Sequence, residues 1–130
     1  MKKIICMFAL LFFTYGPAYA QNASWYDSQS VCKEGTCCGE VCPTASGVNI
    51  KSLEHEEMHF CAASKNFKMG SILKVTNKAN GRSVLCKVMD RGGFAKYQRA
   101  VDLSKHCFAH ISDVDLGVVD VTIDVVREGP

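Results

Sequence analysis

Short segments in which apolar and polar residues alternate occupy the second half of the chain and constrain its fold most. The clearest is 119–125, where four β-branched residues alternate with polar ones. Segments 73–76 and 82–89 follow the same two-residue period, and Asn80-Gly81 between them is typical of a hairpin turn. Helices do not alternate with these strands, so the pattern predicts a mainly β fold, a small closed or nearly closed barrel.

The remaining segments are predicted to be one helix and two loops. A helix is expected from the capping residue Ser104 through Ile111, with its apolar residues turned inward. Residues 27–47 are rich in Cys, Gly, Ser and Thr and predict a loop fixed by its own cysteines. Residues 53–59 predict a solvated acidic loop.

The first twenty residues have the pattern of a secretory signal. Two lysines precede an apolar run over 4–13, and Ala18-Tyr19-Ala20 provides small residues for cleavage. The run is too short to span a bilayer. We therefore expect an exported protein, periplasmic or extracellular, without a stable membrane anchor, in which residues 21–130 form one monomeric domain.

The total charge of the chain gives no argument for a nucleic-acid partner. Lys and Arg number 15 against 13 Asp and Glu, and removal of the two signal lysines makes the numbers equal. Residues 65–105 nevertheless contain ten basic residues and only two acids, Asp90 and Asp102. This distribution fits either a solvated face or a groove that attracts an acidic polymer, and we expect no nucleic-acid partner.

Seven cysteines remain after the signal, which predicts disulfides formed in an oxidising compartment. Because seven is odd, one thiol is left over, and Cys86 in an alternating strand is the candidate. The pairing among the others stays open. They are Cys32, Cys37, Cys38, Cys42, Cys61 and Cys107.

A zinc site is the rival interpretation of this cysteine-rich segment, with His55 and His59 as further ligands. The same two histidines satisfy the bare His-Glu-x-x-His pattern of zinc proteases. The ligand spacing is unusual for zinc, no apolar helix surrounds the histidines, and export favours oxidation of cysteine. We therefore expect neither a metal nor any other cofactor.

Two aspartates end neighbouring apolar segments. Asp90 precedes Gly92-Gly93 and Asp102 precedes the cap Ser104, so two carboxyl groups are expected on one face as a candidate catalytic pair. The alternative is structural, because aspartate often accepts hydrogen bonds from turn and helix-start amides.

Seven short motifs occur in the order and near the spacing of a known family. The chain resembles the rare lipoprotein A (RlpA) family, a six-stranded double-psi β barrel shared with the expansins. The motifs are Ala23-Ser24-Trp25-Tyr26, Thr44-Ala45-Ser46-Gly47, Ala62-Ala63, Val75-Thr76-Asn77, Asn80-Gly81-Arg82-Ser83, Asp90-Arg91-Gly92 and Asp102-Leu103-Ser104.

The resemblance implies action on cell-wall glycan, since family enzymes are lytic transglycosylases that cut peptidoglycan. Peptidoglycan or another wall polysaccharide is thus the expected partner. Expansins, which loosen polysaccharide without ordinary hydrolysis, match at Ser24 and at both aspartates. The residues expected to bind glycan are Ser24, Trp25, Tyr26 and Arg91.

The family's usual catalytic positions are altered, because they correspond here to Val48, Lys51 and Ser64. Glu54 or His59, from the longer segment that follows, is the expected substitute if the chain is catalytic. Two alternatives remain open: a non-catalytic, expansin-like module that binds glycan or loosens the wall, and an effector or inhibitor that binds protein on the same scaffold.

Overall fold

The computed structural model describes residues 21–31, 41–92 and 99–130. Cys42, the described cysteine of the loop, is disulfide-bonded. Two predictions lie outside the described residues: the export signal over residues 1–20, and the disulfides of Cys32, Cys37 and Cys38.

Six strands form a closed barrel in the order β1-β5-β2-β4-β3-β6. The pairs β1–β5 and β2–β4 are parallel, and the other four pairs are antiparallel. This arrangement confirms the predicted six-stranded β barrel and the hairpin between β3 and β4. The strands are β1 (Gln21–Tyr26), β2 (Phe60–Ala63), β3 (Ile72–Asn77), β4 (Ser83–Arg91), β5 (Arg99–Ser104) and β6 (Val118–Arg127).

Alternation along the strands fills the barrel interior with small and branched side chains. Each large aliphatic group buried there contributes about 1.5–3 kcal/mol. In β6 only part of the alternating apolar face is buried, since Val121 is fully buried whereas Val125 is 51% exposed. Fully buried interior residues of the strands include Ala23, Cys61, Ala63, Leu73, Val75, Val88, Val101, Leu103 and Val121.

The prediction of a single helix is wrong. Besides α3 (Lys105–Ala109), which Ser104 caps by accepting from the Cys107 amide, the structure contains α1 (Ser28–Val31), α2 (Ile50–His55) and a 3₁₀ turn over Val114–Leu116. None of these helices in the described ranges is long and apolar enough to cross a bilayer.

Helix α2 replaces the predicted acidic loop for two local reasons. Asn49 caps it, because its side chain accepts a hydrogen bond from the Lys51 amide. Ile50 and Leu53, three residues apart, lie on one face and are buried. The acidic residues that follow concealed this short apolar face.

Three cysteines meet in the barrel core as free thiols: Cys61, Cys86 and Cys107. The disulfide prediction for Cys61 and Cys107 therefore needs correction, whereas Cys86 is free as expected. The Cys86 thiol donates to Cys61 Sγ at 3.2 Å, much longer than the roughly 2.05 Å of a disulfide. The interior faces of β2, β4 and α3 bring these side chains together, where they pack as small apolar groups.

We expect Asn77→Ala to lower the free energy of unfolding by about 1–3 kcal/mol, because a buried hydrogen-bonding amide is lost. Asn77 is 3% exposed, and its Nδ2 donates to the Ile111 carbonyl at 2.8 Å. The matched control is Asn80→Ala, since exposed Asn80 donates to the same carbonyl at 2.9 Å. Urea unfolding should show a clearly smaller loss for the control, and equal losses would contradict a special role of the buried amide.

Candidate functional site

Four residues lie in one row across four neighbouring strands of the barrel. Ser24 pairs with Asp102, Asp102 with Ala62, and Ala62 with Asp90. With strands about 4.8 Å apart, the two aspartate Cα atoms, two strands apart, are separated by about 10 Å. The row places the two aspartates and the serine of β1 on the outer face of the barrel.

A β-bulge in β4 turns Asp90 toward this face. Cys61 pairs with Val88 and Ala62 with Asp90, so Met89 is the extra residue. Val88 is buried in the barrel interior, and Met89 packs on the outer cluster that contains Ala62. Because a bulge interrupts the two-residue alternation, Asp90 stays on the outer side instead of entering the core.

Asp90 is held by three hydrogen bonds. Its Oδ1 accepts from the Ala45 amide at 2.9 Å and from the Arg91 amide at 2.8 Å. The hydroxyl of Tyr26 donates to Oδ2 at 3.4 Å. Burial first, and then the charge of Asp90, raises the pKa of Tyr26, so the phenol remains a donor. Asp90 thus fastens the turn over 44–47 to β4, which is the structural role considered from the sequence.

Asp102 has a different environment. The Ser24 hydroxyl donates to its Oδ1, and Arg99 Nε lies 3.3 Å from the same oxygen. The side chain is 16% exposed. Burial raises the pKa of Asp102, and Ser24 and Arg99 oppose this shift in part. Within the described residues both of these contacts are to Oδ1.

The contact of Arg99 with Asp102 was not predicted from the sequence, because the two residues are three positions apart. Strict alternation places residues three apart on opposite faces of a strand. The β1–β5 register, however, shifts between Asn22 and Ala23, which leaves Ala100 as an extra residue in β5. This second bulge brings Arg99 to the side of Asp102, and only the basic character of the segment hinted at it.

The side chains of two of the predicted glycan-binding residues make contacts outside the row. Trp25 packs against the barrel interior, and its indole N–H donates to the Val114 carbonyl at 2.8 Å. Arg91 Nη1 donates to the carbonyls of Ala63 and Ser64 at 3.3 and 3.2 Å. Arg91 thereby links the end of β4 to the end of β2. The hydroxyls of Ser24 and Tyr26, residues that are 6% and 9% exposed, contact Asp102 and Asp90.

Glu54 and His59, the two residues expected as substitutes for the family's catalytic positions, make other contacts. Glu54 Oε1 accepts from the Ser28 amide at 2.6 Å and lines a cavity of about 520 Å³ between α1, α2 and α3. His59 packs against two other histidines. In the ranges that the structure describes, no hydrogen bond links either residue to Asp90 or Asp102.

The altered family positions do not restore a second acid. Val48 and Lys51 are exposed, and Ser64 is partly buried at the end of β2. The His-Glu-x-x-His pattern is not helical, because α2 ends at His55 and Glu57 adopts a φ of 51°. The geometry of a zinc-protease helix is therefore missing from this described segment.

Residues 18–123 match the family model described as "Lytic transglycolase". An endolytic peptidoglycan transglycosylase RlpA of Campylobacter jejuni is 41% identical over 68 residues, which cover 52% of this chain and 24% of the relative. A probable endolytic peptidoglycan transglycosylase RlpA of Aquifex aeolicus is 32% identical over 114 residues, which cover 87% of this chain and 44% of the relative. The chain thus spans less than half the length of these relatives.

Among solved structures, an expansin of Clavibacter michiganensis in complex with cellohexaose matches with a TM-score of 0.58 and 18% identity. The match covers 85% of this chain and 52% of the expansin, and it shows a common fold. The fold, the motif order and the family match agree. The chain therefore belongs to the RlpA-like lytic transglycolase family of double-psi β barrels.

Proposed function

We propose that this domain binds cell-wall glycan, with peptidoglycan as the first candidate, across the face formed by the row of Ser24, Asp102, Ala62 and Asp90. The observation that carries the proposal is the partly buried carboxyl group of Asp102, whose pKa burial raises. A carboxyl of this kind keeps its proton to a higher pH than a free aspartate does, as a general acid requires. The peptidoglycan transglycosylases among the relatives supply the substrate class.

We further propose that Asp102 is the acid and base of a transglycosylase reaction. Its Oδ2 would give a proton to the glycosidic oxygen as the bond to the anomeric carbon breaks. The resulting carboxylate would then accept the proton of a hydroxyl on the same sugar, whose oxygen bonds to that carbon. An anhydro end forms and no water is consumed. Ser24 and Arg99 hold Oδ1, which fixes the direction of Oδ2.

The substrate lies outside the cytoplasmic membrane, so the proposal includes export of a monomeric domain to the periplasm or beyond. Asp90 contributes by position. Its hydrogen bonds to the Ala45 and Arg91 amides keep the turn over 44–47 at the edge of the face.

A second candidate is a non-catalytic module that binds or loosens the wall. One observation favours it: no carboxylic acid or imidazole is present at the altered family positions, which are Val48, Lys51 and Ser64. In this case Asp102 and Ser24 would bind sugar hydroxyls without transferring a proton to the glycosidic bond.

The direct test is incubation of the exported protein with peptidoglycan stripped of its stem peptides, followed by mass spectrometry of the soluble fragments. Fragments with anhydro ends are expected, and cellulose run in parallel tests the alternative polymer. Retention on the glycan without such fragments would support the non-catalytic candidate. Neither retention nor fragments, at protein levels where a relative gives both, would contradict the whole proposal.

A further inference from the structure

Three histidines from separate parts of the chain, none of them a member of the aspartate row, converge on the outside of the barrel. His59 lies between α2 and β2, and His106 and His110 lie on and just after α3. Their ring centroids are 5.3, 4.8 and 5.2 Å apart. One ring nitrogen from each side chain can be chosen so that all three lie within 4.8 Å of one another.

Local structure fixes this arrangement. His106 and His110 are four residues apart in consecutive helical backbone, which places both side chains on one face. The backbone of His59 is held beside β4, because the Lys87 amide donates to the His59 carbonyl at 3.0 Å. The three rings are therefore supplied by two elements that the barrel itself holds in place.

The chemistry of the cluster fits coordination better than simple stacking. The three imidazole side chains each offer a ring nitrogen, the donor type that divalent transition-metal ions bind. The His59 ring is also hydrogen-bonded to the backbone of Leu85. Metal-binding histidines generally use their second ring nitrogen in this way, because the contact fixes the tautomer and the ring direction.

We propose that His59, His106 and His110 form a binding site for a divalent transition-metal ion of the zinc class. Three imidazoles are a common ligand set for Zn²⁺, and they leave a further position for water or an anion. The site is independent of the proposed glycan chemistry, and a bound ion would join α3 to the start of β2.

Only small movements are needed to close the site. Two nitrogens bound to one tetrahedral Zn²⁺, each at about 2.0–2.1 Å, lie about 3.3 Å apart. The nitrogens here, within 4.8 Å of one another, must approach by about 1.5 Å at most. His106 and His110 are exposed and can rotate, whereas partly buried His59 provides the fixed ligand.

The test is calorimetric titration of the protein, made without a polyhistidine tag and freed of metal with a chelator, against Zn²⁺. One ion per chain is expected. His106→Gln and His110→Gln should each weaken binding about tenfold or more, since even the loss of an outer-shell partner costs about that much. The matched control is His55→Gln, the remaining histidine, which is exposed on α2 and should bind as the parent does.

Two further measurements keep the assignment to histidine falsifiable. Zn²⁺ should raise the thermal midpoint of the parent and of His55→Gln, but not that of the double variant at 106 and 110. Co²⁺ should give a visible spectrum without a thiolate charge-transfer band. Unchanged affinity in both single variants, or a thiolate band that accounts for the bound ion, would overturn the proposal.

Discussion

Asp102→Asn is expected to reduce the rate of anhydro-fragment formation by about 10²–10⁴-fold, the usual contribution of a positioned general acid. Asparagine keeps the shape of the side chain and a carbonyl oxygen that can accept from the Ser24 hydroxyl. It cannot give a proton to the glycosidic oxygen. Glycan retention should change far less than the rate, because the contacts around the side chain persist.

The same variant is not expected to unfold more easily at neutral pH. Burial raises the pKa of Asp102 above its unfolded value, so the folded chain binds the proton more tightly than the unfolded chain does. The stabilisation from that proton is present below the unfolded pKa and is lost as the pH rises through the folded pKa. Asparagine removes this loss, so the free energy of unfolding should depend less on pH than in the parent.

The measurements are product formation by mass spectrometry and urea unfolding across a pH series. Asp120→Asn is the matched control, since Asp120 is an exposed aspartate on β6, and it should keep both rate and stability. In the parent, the rate should fall as the pH rises through the folded pKa of Asp102, because the protonated acid disappears. An unchanged rate in Asp102→Asn would remove it from the mechanism.

The different hydrogen-bond and ion-pair partners of Asp90 and Asp102 could not be predicted from the sequence. The sequence predicted a shared face because Asp90 and Asp102 each stand near the end of an apolar segment, although strict alternation would turn Asp90 inward with Val88. It could not show that backbone amides occupy Oδ1 of Asp90 whereas a hydroxyl and a guanidinium contact Asp102. Those partners depend on the turn over 44–47 and on β5, which only the closed barrel brings to the row.

Bulges explain the other differences between the strand faces predicted from alternation and those in the structure. Alternation predicts faces well for β3, where Leu73 and Val75 are buried as expected. It fails where one residue is inserted, at Met89 in β4 and at Ala100 in β5. Both insertions lie next to site residues, a frequent position for bulges because they redirect a side chain. A two-residue period therefore predicted the barrel but missed Arg99.

The apolar packing outside the barrel could not be predicted either, because the residues that form it are scattered along the chain. A second apolar cluster lies on the outer face, under α2 and next to the aspartate row. No periodic pattern connects its members, which come from β1, the loop before α2, α2 itself and β2. They are Tyr26, Cys42, Ile50, Leu53, Phe60 and Ala62, with Met89 packed against them.

Phe60→Ala is expected to lower the free energy of unfolding by about 3–5 kcal/mol, through lost transfer energy and the cavity left behind. Phe60 is a fully buried member of this outer cluster, and its ring meets Tyr26 edge to face with centroids 5.9 Å apart. Total stabilities of small domains are about 5–15 kcal/mol, so this one side chain supports a large part of the fold.

The loss should also reach the site, because the Tyr26 ring that packs on Phe60 carries the hydroxyl that contacts Asp90. Urea unfolding measures the stability, and glycan retention at low temperature, where the variant is still folded, measures the effect on the face. Leu85→Ala is the matched control, since Leu85 lies on β4 and is 51% exposed. Its loss should be within about 0.5 kcal/mol, as for most surface changes. A loss for Phe60→Ala no larger than that of the control would mean that the outer cluster does not hold α2 and the aspartate row together.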